Sequence, residues 1–274
     1  MDQEGDAVAV AKANYQIIEK DADFDAWGYG QGVPDNGASA SKTHRKIDPY
    51  DSARPTVNNY RLLVSGVVPR PIGFLSTVSA VGMKNLSLFS YFQVVDHDPP
   101  MFIVGFSSRP GRVKDTFRNI KETGEVVINM VSENMIEAVN ATSIDAPYGL
   151  LEWEVSGLHE APTTTVALSR VRESVFLIEG KVVDIKEFED HVKPGMSIAS
   201  LVLIKATWFW VQDDAVNAEG SHIDLDKLRP LGQLGGISYG RVSSTFEQPR
   251  RRWDDERPKS QLLAGLENSK PMTE

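Results

Sequence analysis

The chain has 274 residues, of which 41% are hydrophobic and 24% are charged, a composition typical of a globular protein with a substantial core. It contains no cysteine, which excludes disulfides, thiol nucleophiles, thiolate-bound zinc and iron–sulfur clusters. The net charge is −9, but residues 1–40 alone hold eight acidic and two basic residues. The rest of the chain is therefore nearly neutral, with no basic stripe suited to nucleic acid.

The two ends of the chain differ in composition from its middle. Residues 1–43 are predicted to be an acidic arm containing Gly and Ser, and residues 246–274 a polar tail, which leaves one domain at 44–245. The N-terminus has no basic region followed by an apolar core, and no stretch approaches the ~20 apolar residues of a membrane helix. We therefore expect a cytoplasmic protein without a membrane partner.

Strands are predicted where apolar residues run or alternate between turn residues. A short helix at 59–66 precedes a hairpin, and later strands and β-rich runs are separated by turns and short helices. The predicted strands span 72–79, 84–91, 101–107, 125–131, 174–188 and 197–211. The predicted turn is 108–111, the short helices lie near 114–121 and 132–140, and a Gly-rich closing segment spans 225–240.

This element order predicts the fold class. Strands do not alternate regularly with helices, which argues against a doubly wound parallel sheet. The sequence instead favours a mainly β fold, an antiparallel Greek-key barrel with a few short flanking helices. The segment 92–98, which contains Asp96-His97-Asp98 before two prolines, is predicted to be a loop rather than a catalytic base.

The familiar catalytic motifs are absent. There is no GxxxxGK[ST] phosphate loop, no GxGxxG after a strand and no GxSxG elbow. The five histidines are scattered without metal-ligand spacing, so no metal site is expected. No catalytic residue can be identified from the sequence.

The hairpin segment RPIGFLSTVSAVGMKNLSLFSYF is unusually rich in small polar residues for strands that flank a core. Ser76, Thr77, Asn85, Ser87 and Ser90 provide hydrogen-bonding groups and allow close approach of the backbone. A flat heteroaromatic ring with several acceptors needs such a surface. The alternative is that these positions simply face solvent.

A second segment, SSRPGRVKDTFRNI, resembles a phosphate site. Lys114, Asp115 and Thr116 fall where the chain enters a helix, whose unpaired N–H groups and positive dipole end favour a phosphate. An ammonium and a hydroxyl would complete the cradle. Alternatively, Asp115 caps the helix and Lys114 is solvated.

These two segments, with DPPMFIVGFS, GEVVINMV and LDKLRPLGQLGGISYGR, resemble the flavin reductase-like domain family, the FMN-binding split-barrel flavoproteins that include flavoredoxins. The resemblance implies a split barrel that forms a homodimer and holds FMN noncovalently near the subunit interface. It implies flavin-binding roles for Ser76 and Thr77 beside the flavin, Asn85, Leu86, Ser87, Phe89 and Ser90 along the ring, Lys114 and Thr116 at the phosphate, and Tyr239 with Gly235 and Gly236 near the ring. Leu88 and Gln233 stand where many relatives have proline and arginine, which affects ring electronics and substrate choice.

The resemblance implies a flavin-dependent oxidoreductase that uses NAD(P)H to reduce flavin or a flavin-mediated acceptor, either a small molecule or a protein. The cofactor carries the redox chemistry, and the protein binds, orients and tunes it. Two alternatives stay open at this point. The chain could be a non-enzymatic FMN-binding electron carrier reduced by a partner protein, or a split-barrel relative that binds haem or pyridoxal phosphate.

Overall fold

The structure is a computed structural model that describes residues 16–18, 27–108, 113–144, 149, 151–190, 195 and 197–268. Residues 55–242 form one compact unit, and the described parts of 15–54 and 243–274 form a second. Most of the turn predicted at 108–111 lies outside the described residues. Every helix in the described part of the chain is too short or too polar to span a bilayer.

Short strands dominate the structure, and the helices are brief. The strands are β1 Gln16–Ile17, β2 Gly73–Val78, β3 Lys84–Phe89, β4 Phe92–His97, β5 Pro100–Ser107, β6 Glu125–Met130, β7 Glu160–Ala161, β8 Arg170–Val171, β9 Phe176–Glu189, β10 Ser197–Val211, β11 Leu231–Gln233, β12 Tyr239–Arg241 and β13 Ser244–Thr245. The helices are α1 Thr56–Gly66, α2 Asp115–Thr123, α3 Ile136–Ala141, α4 Glu152–Ser156, α5 Leu225–Leu228, α6 Trp253–Glu256 and α7 Gln261–Asn268, with 3₁₀ turns at Glu133–Met135 and Arg257–Lys259. The predicted mainly β fold with short helices is confirmed.

One antiparallel sheet of seven strands, in the order β3-β2-β6-β9-β10-β5-β4, forms the body of the first unit. If the sheet were flat, its edge strands β3 and β4 would lie ~29 Å apart, at ~4.8 Å per strand. The chain passes from Phe89 in β3 to Phe92 in β4 in three residues, which reach at most ~11 Å. The sheet is therefore rolled into a barrel whose two edges are joined by this short connection.

Apolar side chains from all seven strands of this sheet fill the barrel. They include four phenylalanines, and the rings of Phe89 and Phe106 lie 4.7 Å apart between centroids. Helix α2 contributes Phe117 and Ile120 to the same core, which packs the helix against β2 and β3. This packing fixes where the N-terminus of α2 meets the hairpin.

A second hydrophobic cluster covers the outer face of the β2–β3 hairpin. Phe74 and Leu86 from the hairpin pack there with Met135, Val139 and Trp153 from the α3 and α4 region, and Leu231 of β11 belongs to the same cluster. Both faces of β2 are thus buried, so its polar side chains must find partners within the protein.

The prediction of a loop at 92–98 was wrong, because Phe92–His97 forms the edge strand β4 paired antiparallel with β5. Only Phe92 of this strand is buried, and the other side chains are exposed. An edge strand with so little burial lacks the apolar alternation from which strands are recognised in sequence. Asp96 and His97 lie on this exposed strand.

The second unit joins the predicted arm to the predicted tail. β1 pairs with β13 in parallel, and the hydroxyl of Tyr29 donates to the Glu256 carboxylate at 3.2 Å. The guanidinium of Arg251 lies 5.2 Å from the ring centroids of both Trp27 and Tyr29. This stacking gives Arg251 a structural role that charge counting along the tail does not suggest.

A fully buried carboxylate, Glu179 of β9, anchors the loop 163–168 to the barrel. One oxygen accepts from the backbone of Thr164 and the indole of Trp210, and the other accepts from the backbone and hydroxyl of Thr165. Burial raises the pKa of Glu179, but these hydrogen bonds outweigh burial, and its pKa is lowered below the ordinary value.

We predict that Glu179→Gln destabilises the protein by about 2–4 kcal/mol. One carboxylate oxygen, which accepts hydrogen bonds from two donors, becomes an NH₂ group that cannot accept them. Since the folded pKa is depressed, the Glu179 contribution is complete above the ordinary glutamate pKa, about 4.3, and is lost as the pH falls through the lower folded value. Urea unfolding across this pH range measures both effects. Glu187→Gln on the same strand is the control, because its pair with Lys121 is exposed and is expected to contribute at most about 1 kcal/mol.

Candidate functional site

The two faces of the β2–β3 hairpin separate the predicted site residues into two groups. Thr77 pairs with Asn85, and Ser76 pairs with Leu86, so neighbouring pairs point to opposite faces of the sheet. Thr77 and Asn85 face α2. Ser76 faces away from them and donates its hydroxyl to the carbonyl of Ser169 at 2.6 Å. The structure therefore does not bring the Ser76 and Thr77 side chains together.

A buried polar cluster links the hairpin to α2. The Asn85 Oδ1 atom accepts hydrogen bonds from the hydroxyls of Thr116, at 2.7 Å, and Thr77, at 3.3 Å. Asn119 of α2 donates from Nδ2 to the Thr77 hydroxyl at 3.1 Å. The Thr77 hydroxyl in turn donates its own proton to Asn85. The cluster fixes the Asn85 amide with its oxygen towards the threonines. The hydroxyls of Thr77 and Thr116 both donate their protons within the cluster.

The carboxyl of Glu152, at the start of α4, borders this cluster. Burial raises its pKa, and the charge of Asp115 raises it further, against hydrogen bonds from the backbone of Glu152 and Leu86 and from the Asn85 side chain. Its Oε2 atom is buried without a partner among the described residues, as is Oδ1 of Asn119. Ionisation of Glu152 is therefore less favourable than that of a solvated glutamate.

The N-terminus of α2 lies next to the cluster. Lys114 occupies the N-cap position with extended backbone and makes no capping hydrogen bond with its side chain, and Asp115 is the first helical residue. Lys114 is exposed, and no carboxylate of the described residues pairs with its ammonium. The helix ends at Gly124, whose φ of 68° is left-handed. The backbone N–H groups of Thr116 and Phe117 in the first turn and the Lys114 ammonium are thus available to an anion.

The other end of β3 meets the closing segment through a buried arginine. Arg70, which is 6% exposed, donates from Nε to the hydroxyl of Ser90 at 3.2 Å and from Nη2 to the carbonyl of Gly235 at 2.9 Å. The backbones of Arg70 and Gln233 exchange hydrogen bonds of 3.0 and 2.9 Å. Tyr239, opposite Gln233 in the β11–β12 hairpin, is half-buried, and burial raises the pKa of its phenol.

The closing segment closely approaches the chain just before β2. A Cβ atom added to Gly232 would lie 2.6 Å from Cβ of Pro69, so only glycine fits this contact. This contact and the Arg70 hydrogen bonds hold Ser90 and Gly235 at one end of the hairpin.

The remaining predicted side chains lie in or near the hydrophobic clusters. Phe89 fills the barrel, Leu86 packs on the outer face, and Ser87 is half-buried. Because their side chains are buried, Phe89 and Leu86 can face a ligand only through their backbone. Within the described residues β2 is the sole strand partner of β3, and the Leu86 N–H that points away from β2 bonds Glu152. By strand alternation, the N–H and C=O of Leu88 point to the same unpaired edge.

Three residues of this region were missed from the sequence: Arg70, Asn119 and Glu152. Arg70 stands between two prolines directly before an apolar strand, which was a usable signal because arginine at the start of a buried strand needs partners. Asn119 sits on the buried face of α2 between Thr116 and Ile120. Glu152 gave no signal, since its contacts with the hairpin are long-range.

The site therefore has two ends along one edge strand. Asn85, Thr116 and the first turn of α2 lie at one end, and Ser90, Arg70 and the closing segment lie at the other. Five residues of extended chain separate Asn85 from Ser90, or ~17 Å. Among the described residues, no group of three or more histidine, aspartate or glutamate side chains is close enough to hold a metal ion.

The family model described as "Flavin reductase like domain" matches residues 65–223, which contain β2–β10 and most of the site. An uncharacterized protein of Halalkalibacterium halodurans is 36% identical over 206 residues, which cover 75% of this chain and 96% of that protein. YwrF, an uncharacterized protein of Bacillus subtilis, is 31% identical over 69% of this chain and 91% of its own length.

Solved structures share the fold. Component B of nitrilotriacetate monooxygenase from Bacillus cereus is 26% identical, with a TM-score of 0.71 over 76% of this chain and 100% of that chain. A structure from Shewanella frigidimarina described as having a split barrel domain is 22% identical, with a TM-score of 0.64 over 76% of this chain and 100% of that chain. These matches confirm the predicted split-barrel fold. The chain belongs to the flavin reductase like domain family, and its role is that of a flavin-related oxidoreductase.

Proposed function

We propose that this protein binds FMN noncovalently along β3 and uses it to pass electrons from NAD(P)H to an acceptor. The observation that carries the proposal is the pair of complementary ends on one strand edge, β3, which lies within the residues matched by the family model. The α2 end offers groups for an anion, and the other end offers a polar, glycine-lined surface beside Ser90. FMN has a phosphate and a ring at opposite ends.

The phosphate end rests on backbone more than on side chains. Because the Thr116 hydroxyl donates to Asn85, Thr116 contributes its backbone N–H in the first turn of α2. The Lys114 ammonium adds a charge-assisted contact. Asp115 is the first helical residue at this end of the site.

The ring end rests on the edge of β3 and on the closing segment. The N–H and C=O of Leu88 match the acceptors and donor along the polar edge of a flavin. Ser90, Tyr239, Gly235 and Gly236 would border the ring, and leucine in place of the proline of many relatives leaves the Leu88 N–H available. The residues fit the cofactor, which supplies the hydride and electron chemistry when bound.

We predict that Lys114→Ala weakens FMN binding at least about tenfold and leaves riboflavin binding nearly unchanged, since one charge-assisted hydrogen bond to phosphate contributes about 1.5–3 kcal/mol. Quenching of flavin fluorescence measures both affinities. Lys121→Ala, at the other end of α2, is the matched control, because Lys121 pairs with Glu187. Equal weakening of FMN and riboflavin by Lys114→Ala would refute the phosphate assignment.

The nicotinamide donor would stack on the flavin from an open cleft. The seven-stranded sheet is antiparallel throughout, so it offers no βαβ unit to hold a dinucleotide. We predict a KM for NAD(P)H in the upper part of the usual ~1 μM–1 mM range, and reduction rates with NADH and NADPH within about tenfold of each other. Anaerobic mixing of the FMN-loaded protein with each nucleotide, followed at the flavin band, is the test. If dithionite bleaches the flavin but neither nucleotide does, the protein is an electron carrier and the reductase proposal is refuted.

We also propose a homodimer as the working assembly. The apolar residues of β5, Phe102, Val104 and Phe106, are buried in the barrel and offer no surface. Exposed apolar side chains lie elsewhere in the first unit, with Leu63 57%, Val95 54% and Trp208 48% exposed. The cores of homodimer interfaces are rich in apolar and aromatic side chains of this kind.

Light scattering of the FMN-loaded protein at micromolar concentration is expected to give about twice the chain mass of 30.3 kDa. Leu63→Glu on α1 is expected to shift the population towards monomer, because a charge cannot be buried there unpaired. Glu122→Ala, an exposed change on α2, is the control. A mass near 30.3 kDa for the wild-type protein would contradict the dimer.

A further inference from the structure

Arg70 is a buried cation without a buried anion. Its guanidinium donates to the carbonyls of Val64 at 2.5 Å and Val67 at 2.8 Å, as well as to Ser90 and Gly235. All four acceptors are neutral. A guanidinium has five N–H donors, so one on Nη2 has no acceptor among the described residues.

The contrast with Arg229 shows what is unusual. Arg229 is also partly buried, but its guanidinium pairs with Glu133 at 2.9 Å, and Glu133 pairs with Arg241 as well. Buried charges are normally compensated in this way, because an unpaired charge in a low-dielectric environment is strongly unfavourable. Arg70 has hydrogen bonds but no compensating charge within the described residues.

The field of Arg70 reaches the surface at the end of β3. Burial and the neighbouring Tyr60 raise the pKa of Tyr91, while the charge of Arg70 lowers it. Ser90, which precedes Tyr91, and Gly235 both accept from the guanidinium directly. These are the residues assigned to the ring end of the proposed FMN site. An anionic group bound there would meet a positive charge that nothing else in the described chain neutralises.

We propose that Arg70 tunes the bound flavin by favouring its reduced, negatively charged form. The inference rests on the proposed FMN site. When a hydride moves from the donor to the flavin, the C–H bond of the donor breaks with its electron pair, the donor becomes a nicotinamide cation, and the flavin gains one negative charge. Arg70 compensates this charge, whereas the oxidised ring is neutral. Arg70 positions Ser90 and the closing segment through its hydrogen bonds. Its charge also stabilises the negative charge on the reduced ring.

The effect is expected in the ratio of affinities for reduced and oxidised FMN. Removing the charge with Arg70→Met is expected to lower this ratio by about tenfold or more, which corresponds to a midpoint potential about 30 mV lower for a two-electron couple. Arg70→Lys keeps a positive charge without the planar fork. This variant is expected to keep the midpoint potential of bound FMN close to the wild-type value while binding both oxidised and reduced FMN more weakly. If Arg70 had only a structural role, each variant would lose the same affinity for reduced FMN as for oxidised FMN.

The experiment is an equilibrium redox titration of the FMN-loaded protein against reference dyes, with affinity for oxidised FMN measured in parallel. Arg241→Met is the matched control, because Arg241 lies in the closing hairpin, is exposed and shares Glu133 with Arg229. It is expected to leave the potential unchanged. The wild-type protein is expected to hold FMN at a higher potential than free FMN, a comparison that does not depend on any variant folding.

Two results would overturn the role of Arg70 while leaving the FMN site intact. One is a potential of Arg70→Met equal to that of the wild type or shifted no more than Arg241→Met. The other is a wild-type potential at or below that of free FMN. Failure of the wild-type protein to bind FMN is a different result, which removes the proposed function and this inference together.

Discussion

The short passage from β3 to β4 is the constraint on which the rest of the structure depends. Because Phe89 and Phe92 belong to the two edge strands and both side chains enter the barrel core, the sheet must roll until its edges are adjacent. Rolling encloses the phenylalanine cluster and creates a surface for α2, which adds Phe117 and Ile120. Within the part of the chain that the structure describes, β3 then has β2 as its one strand partner. The closure that builds the core therefore also leaves the strand edge on which the candidate site lies.

The β2–β3 hairpin shows how a strand buried on both faces can carry polar residues. Every polar side chain of β2 has a defined acceptor or donor: Ser76 bonds Ser169, and Thr77 is held between Asn85 and Asn119. A network satisfied in this way is rigid, because each hydroxyl has one allowed proton direction. Rigidity at Asn85 fixes the spacing between the strand edge and the first turn of α2, and this spacing sets the shape that a ligand must match.

Most of the fold could be predicted from the sequence, because the runs of β5, β9 and β10 are rich in β-branched and aromatic residues and are bounded by turn residues. The strand β4 could not, since only Phe92 of its six residues is buried. For the site, the blocks around Asn85 and Lys114 were identified, but the roles of individual side chains were not. Sequence shows that Thr116 is polar and near a helix start. It does not show that its hydroxyl is consumed by Asn85, which is 31 residues away along the chain.

Two glutamates in the first unit show how environment separates a structural carboxylate from one at a site. Each oxygen of Glu179 accepts two hydrogen bonds, so its pKa is lowered although the side chain is fully buried. Glu152 is less buried, yet its Oε2 has no partner among the described residues and its pKa is raised. Burial alone does not decide between these outcomes; the number of donors does. A carboxyl left short of donors beside an open strand edge has a raised pKa, whereas a carboxylate with a full set of donors stays ionised to lower pH.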